Sequence, residues 1–168
     1  MVSLDSALNN GRYVRLFSDY PERILRPGAN PRKGRFMTIA VVFSETPEGE
    51  AALVSAVREA RLRGTDLAVL NVSEGDDSPD PERTLAVTAR AAEVLPPTSE
   101  LPWEVHVVSW AKNLAGAIVD LAVEVGADLL VMGTRRRSVT GKFLLGSTVQ
   151  RVLLDAPMEV LTVKAHHD

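Results

Sequence analysis

Asp128–Asp155 reads DLLVMGTRRRSVTGKFLLGSTVQRVLLD. An apolar run, Asp128 to Met132, gives way at Gly133 to a basic, glycine-bearing loop, and Ser147 to Leu154 then has the character of a helix. Strand, loop and helix start in that order make a place to hold an anion. The N–H groups of a helix's first turn lack intrahelical partners and carry partial positive charge. Ser147 and Gln150 fit a capping box, which sets the helix start near Gly146. Gly146 leaves no side chain where a phosphate would approach. Arg135, Arg136, Arg137 and Lys142 add four positive charges within eight positions. A solvated basic surface loop is the competing reading of the same residues.

The alternation of strand and helix extends through most of the chain. Met37 to Phe43 (MTIAVVF) is short and nearly all apolar, as a strand covered on both faces requires. Thr46-Pro47 supplies an N-cap and a proline at the first helical position. The alanine- and leucine-rich stretch Glu50 to Arg63 then closes at Gly64, with Arg61 and Arg63 in the last turn. Leu67 to Val72 is a second strand and Ser73 to Ser78 an acidic loop. Asp80-Pro81 opens a second helix, which Pro96-Pro97 ends. Trp103 to Ser109 is a third strand. Asn113 caps a third helix, Leu114 to Val125, which stops at Gly126. Asp128 to Met132 is the fourth strand and Glu159 to Val163 the fifth. Strands alternating with helices of this length predict right-handed βαβ units and a parallel sheet. Ligands of such sheets bind beyond the carboxyl ends of the strands, where strand order reverses. The Gly133 loop and the Ser44-Glu45-Thr46 loop both leave carboxyl ends. If their strands are neighbours, both border one crevice.

Composition narrows the function classes. At 168 residues one domain is the default, with room for a proper core. The net charge of −3 points away from general nucleic-acid binding. The absence of cysteine excludes disulfides, thiolate catalysis and Cys-ligated zinc. No apolar run approaches the roughly 18 residues of a membrane span, and Met1 to Phe17 lacks a secretory core. A cytoplasmic protein is expected. Residues 1–36 differ in character: they hold Tyr13, Phe17, Tyr20 and Phe36, and a Pro/Gly-punctuated linker from Arg26 to Gly34. A short helix is expected around Asp5 to Phe17.

Catalytic signals are thin. His106 lies inside a strand, where a half-buried, hydrogen-bonded histidine is the plain reading, and His166 and His167 lie in a terminal tail. Asp76, Asp77 and Asp80 lack the spacing of a calcium loop. Neither a Gly-x-Ser-x-Gly elbow nor a Walker Gly-Lys-Ser/Thr is present, and Gly141-Lys142-Phe143 lacks the hydroxyl residue that would hold Mg²⁺. No catalytic residue and no metal site is assigned, and whether the chain is an enzyme stays open.

Three segments carry a resemblance: Asp128 to Arg135 (DLLVMGTR), Leu144 to Thr148 (LLGST) and Ala156 to Val163 (APMEVLTV). Together they resemble the universal stress protein (UspA-like) family over about residues 37–164, and residues 37–168 are taken as that domain, with 1–36 as an extension. The resemblance implies a five-stranded parallel sheet with helices on both faces, Rossmann-like and of the adenine nucleotide alpha hydrolase-like kind. It implies homodimerisation through the last strand, Glu159 to Val163, and a cytoplasmic stress-response or regulatory role.

Members that bind ATP resemble one another in a loop of Gly, two residues, Gly, nine residues, Gly and then Ser or Thr. This chain keeps Gly133, Gly146 and Ser147, but has Arg136 in place of the middle glycine. Ser44 stands where binders place an Asp near the adenine, and Trp110-Ala111-Lys112-Asn113 departs from the glycine-like turn before the third helix. If ATP or AMP binds, the resemblance implies that Gly133, Gly146, Ser147 and Thr148 surround the phosphates, that Arg135 and Arg136 supply charge, that Met132 and Val72 form apolar walls, and that Ser44 faces the adenine. If position 136 needs a left-handed backbone, arginine costs roughly 1–2 kcal/mol there, against about 1.5–3 kcal/mol from a hydrogen bond to phosphate. Three readings stay open: a regulatory dimer with a degenerate crevice, a true adenine-nucleotide binder with at most slow hydrolysis, and a partner-docking module acting through residues 1–36.

Overall fold

A computed structural model of the chain describes residues 14–15, 37–74, 81–98, 100–110, 113–134 and 145–165. In chain order the elements are β1 (Val14–Arg15), β2 (Thr38–Val42), α1 (Pro47–Arg63), β3 (Asp66–Glu74), α2 (Pro81–Ala92), β4 (Trp103–Trp110), α3 (Leu114–Glu124), β5 (Leu129–Thr134), α4 (Ser147–Asp155) and β6 (Glu159–Lys164). One sheet contains all six strands in the order β1-β4-β3-β2-β5-β6. β2 to β6 are mutually parallel, giving the expected five-stranded parallel sheet, and β1 joins antiparallel beside β4.

Strand alternation sorts the core into two layers. Ile39, Val41, Leu67, Val69, Val105, Leu129 and Val131 face one side, where Ala52, Leu53, Ala56 and Ala60 of α1 and Val87 and Ala91 of α2 cover them. Ala40, Ala68, Leu70, Val108, Leu130 and Met132 face the other, under Ile118 and Ala122 of α3 and Val149 and Val152 of α4. Because both faces are covered, β2 and β5 carry almost no polar residue.

Local chemistry sets the helix ends. The Gly49 N–H donates to Thr46 Oγ1 at 3.1 Å, so Thr46 caps α1, with Pro47 in its first turn. Gly64 ends α1 in the left-handed region at φ 61°. Asn113 caps α3 by accepting from the Gly116 N–H at 3.0 Å. Gly126, at φ 68°, follows that helix.

Several boundaries differ from the sequence reading. β3 extends through Ser73 and Glu74, because it pairs with β4 as far as Glu74↔Trp110. β5 continues through Gly133 and Thr134, which pair with Val163 and Lys164 of β6. α2 ends at Ala92, well before Pro96. Val14 and Arg15 are strand rather than helix: they pair with Val107 and His106. A sheet edge presents unpaired backbone groups to any passing segment, which outweighs the weak local helical pattern there. The remainder of Asp5 to Phe17 lies outside the described residues. β1 covers the β4 edge through Val14 and Arg15. At the opposite edge, β6 pairs only with β5 among the described residues.

Candidate functional site

The strand order reverses between β2 and β5. From β2 the chain steps outward to β3 and β4, then crosses back so that β5 lies on the other side of β2. The register Val42↔Met132 brings the two carboxyl ends level. The helices that follow these strands start on opposite faces, and a cavity of about 740 Å³ opens between them, within the roughly 300–1,000 Å³ range of small-molecule sites.

The cavity has three parts. Its apolar floor is Val42, Val72, Met132, Leu114, Ile118 and Val149. One wall is the turn from β2 into α1, with Ser44, Thr46, Glu48 and Gly49. The opposite rim is the start of α4, from Leu145 to Gln150. Met132 is also part of the core, at 3% exposure, and Val72 packs against it. Of the residues singled out in the sequence, Ser44, Val72, Met132, Gly133, Gly146, Ser147 and Thr148 line this one cavity. Arg135 and Arg136 lie outside the described residues, as do Arg137, Lys142, Ala111, Lys112, Asp76, Asp77, Asp80, His166 and His167.

The start of α4 corrects the capping box. Gly146 is the N-cap, at φ −60° and ψ 148°, and among the described residues no side chain caps the helix. The Gln150 N–H donates to Gly146 O at 3.0 Å, which makes Ser147 the first helical residue and puts its hydroxyl one position too late to cap. Gln150 Nε2 reaches back to Leu145 O at 3.1 Å. α1 and α3 each have a side-chain cap; α4 has none among the described residues, and its first turn lies at the cavity rim.

The two site glycines have different reasons. A Cβ at Gly133 would lie 2.5 Å from the Glu48 carbonyl carbon and 2.8 Å from Glu48 Cβ, with the carbonyl oxygen closer still. Gly133 is thus required by the packing of α1 on β5, with or without a ligand. A Cβ at Gly146 would meet nothing within 4 Å among the described residues. No described residue calls for a glycine at that point, whereas an anion seated on the α4 N-terminus would need the space.

On the facing wall, Ser44 is exposed and its Oγ lies 3.0 Å from Thr46 Oγ1, the atom that caps α1. Sequence reading passed over Gly49, where a Cβ would sit 2.7 Å from Ser44 Oγ and 2.8 Å from Ser44 N. A glycine in a helix's first turn is a visible signal of such close approach. His106, in β4, places Nε2 3.8 Å from Glu104 Oε2, away from the cavity. Among the described residues no group of three or more His, Asp or Glu side chains could hold a metal ion, and no helix is long and apolar enough to cross a membrane.

Residues 35–164 match the sequence profile of the Universal stress protein family. The chain belongs to that family. A universal stress protein of Mycolicibacterium smegmatis is 36% identical over 128 residues, spanning 76% of this chain and 98% of its own. The structure of the universal stress protein from Archaeoglobus fulgidus in complex with dAMP superposes with a TM-score of 0.60 at 28% identity, covering 77% of this chain and 98% of that one. A universal stress protein in complex with cAMP gives a TM-score of 0.60 at 25% identity, covering 78% and 98%. The universal stress protein match accounts for the α/β unit, while residues 1–34 fall outside it.

Proposed function

We propose that this universal stress protein is a non-catalytic regulator that takes an adenine nucleotide in the crevice between β2 and β5. One observation carries the reading: the N-terminus of α4, which no described side chain caps, lies on the cavity at Gly146, where no described residue calls for a glycine. The N–H groups of Ser147, Thr148 and Val149, with the Ser147 and Thr148 hydroxyls, suit a phosphate group. A phosphate held there directs the sugar and base across the apolar floor toward Val72, Met132 and Ser44. Relatives found with dAMP and cAMP support a monophosphate. Ser44 supplies a hydroxyl in place of a carboxylate, which leaves binding weaker than an Asp at that point would give. In this reading the nucleotide acts as a signal rather than as a substrate.

Calorimetric titration of the protein with AMP, cAMP and ATP, the last with and without Mg²⁺, tests this. A saturable, micromolar-range isotherm for a monophosphate is expected, with no nucleotide consumed over hours. Flat titrations with all three would end the reading.

A second element of the proposal is a homodimer through β6. Its outer edge has no partner among the described residues, and Val160, Leu161 and Val163 keep it apolar and only half-buried. An edge of this kind pairs readily with a second copy, and a two-fold interface closes after one addition. Sedimentation equilibrium is expected to give twice the 18.2 kDa chain mass at micromolar concentration. A monomer throughout the accessible concentration range would rule the dimer out.

A further inference from the structure

We infer that Asn71 is a positioning residue for the base-side wall of the crevice. The inference rests on the nucleotide reading above, and it concerns a residue outside the cavity lining. In β3, Leu67 and Val69 face the layer under α1 and α2. Asn71 falls on the same face by alternation and is 7% exposed, a primary amide where the strand otherwise places an aliphatic side chain. Burying an amide is unfavourable unless its hydrogen bonds are made. Here they are. Nδ2 donates to Phe43 O at 2.9 Å. Oδ1 accepts from Arg83 Nε at 3.4 Å and Nη2 at 3.3 Å. The partners fix the amide's orientation, because a carbonyl only accepts and a guanidinium only donates.

The position of these bonds gives them a role. The Phe43 N–H still donates to Leu70 O at 2.8 Å, continuing the β2–β3 ladder one residue beyond Val42. The carbonyl of the same residue is held by the Asn71 side chain. β2 is thereby tied to β3 by a side chain at the point where the backbone turns away into Ser44 and α1. Ser44 follows Phe43 and Val72 follows Asn71, and both of these neighbours line the cavity. Asn71 therefore sets the gap between the Ser44 wall and the end of β3, the two groups that a base would meet. Arg83, in the first turn of α2, steadies the amide from the far side. The phosphate end, at the start of α4, has no part in this network.

That separation defines the test. In Asn71→Asp the bond from Arg83 survives and the donor to Phe43 O is lost. AMP affinity is expected to fall by about tenfold, the worth of one misplaced hydrogen bond to the base. Affinity for ribose 5-phosphate, followed by NMR titration, is expected to stay within about twofold, a change too small to reflect a lost hydrogen bond. A general loss of structure would weaken both ligands alike, and that outcome would overturn the assignment, as would an unchanged AMP affinity. Should Asn71→Asp fail to fold, Arg83→Met keeps the Asn71–Phe43 bond but frees the amide to turn. It is expected to show the same selective loss to a smaller degree, and equal behaviour to wild type would count against the proposal. A wild-type protein that binds no AMP removes this inference together with the nucleotide reading. A wild type that binds, with variants that bind equally well, removes the role of Asn71 alone.

Discussion

Replacing Gly133 with alanine is expected to destabilise the domain by about 3 kcal/mol, whereas the same change at Gly146 is expected to leave stability within about 0.5 kcal/mol of wild type. Sequence alone gives no way to tell these glycines apart, since both belong to one spaced motif. The structure separates them. At Gly133 the added carbon would come within 2.5 Å of the Glu48 carbonyl carbon, which is backbone in the first turn of α1. That turn is held by the Thr46 cap and by the burial of Gly49, Ala52 and Leu53 against the sheet. No side chain can swing aside, so the helix has to move bodily away from β5, opening a packed interface. At Gly146 there is no atom to meet among the described residues, and φ −60° suits any L-residue. Alanine is a poorer N-cap than glycine, but it also restricts the unfolded chain, and the two effects nearly offset. Thermal unfolding provides the measurement. For a chain of this length about 3 kcal/mol lowers Tm by roughly 6–12 °C. Equal stability losses at both positions would show that the α1–β5 approach is not what fixes Gly133.

Much of this architecture was legible from local chemistry. Thr46-Pro47, Gly64, Asn113 and Gly126 mark helix ends through hydrogen bonds and backbone angles that depend on only a few neighbouring residues, so their reading survives in three dimensions. The apolar runs of β2 and β5 identified strands covered on both faces for the same reason. The features that were not legible depend on distant partners. The length of β3 is set by its ladder with β4, and that of β5 by its ladder with β6. Val14 and Arg15 are strand because an open edge lies beside them, not because of their own propensity. Ser147 has the right type and spacing for a cap, but Gly146 is the N-cap and the hydroxyl falls one residue late.

The site divides along the same line. Gly133 and the start of α4 share one crevice with the Ser44 turn only because β2 and β5 are neighbours, a fact of strand order on which the sequence reading is conditional. Given that adjacency, Ser44, Gly133 and Gly146 converge without further assumptions. Glu48 and Gly49 entered the site from the α1 turn, where attention had gone to the cap alone. Asn71 interrupts an apolar run, LAVLNV, and that interruption was the available signal. Its meaning required the position of Phe43 O, which no periodicity supplies.

Gly146→Trp is expected to weaken nucleotide binding by more than about 100-fold while leaving the fold intact. No atom of the described residues lies within 4 Å of a Cβ at Gly146, which lines the cavity, so an indole placed there projects where the phosphate is proposed to sit. The phosphate is then separated from the first-turn N–H groups of α4. A hydrogen bond to a charged group contributes about 1.5–3 kcal/mol, and the loss of two therefore removes about 3 kcal/mol or more of binding free energy. The floor of Val72, Met132 and Ile118 is untouched, so residual affinity would come from the base and sugar alone. The variant must keep wild-type circular dichroism and a Tm within about 2 °C for the comparison to hold, which the open surroundings of Gly146 lead one to expect. If such a folded variant binds AMP as tightly as wild type does, the phosphate lies elsewhere. The bare start of α4 would then be an ordinary exposed helix end, with its N–H groups satisfied by water, and the glycine beside it would carry no functional meaning.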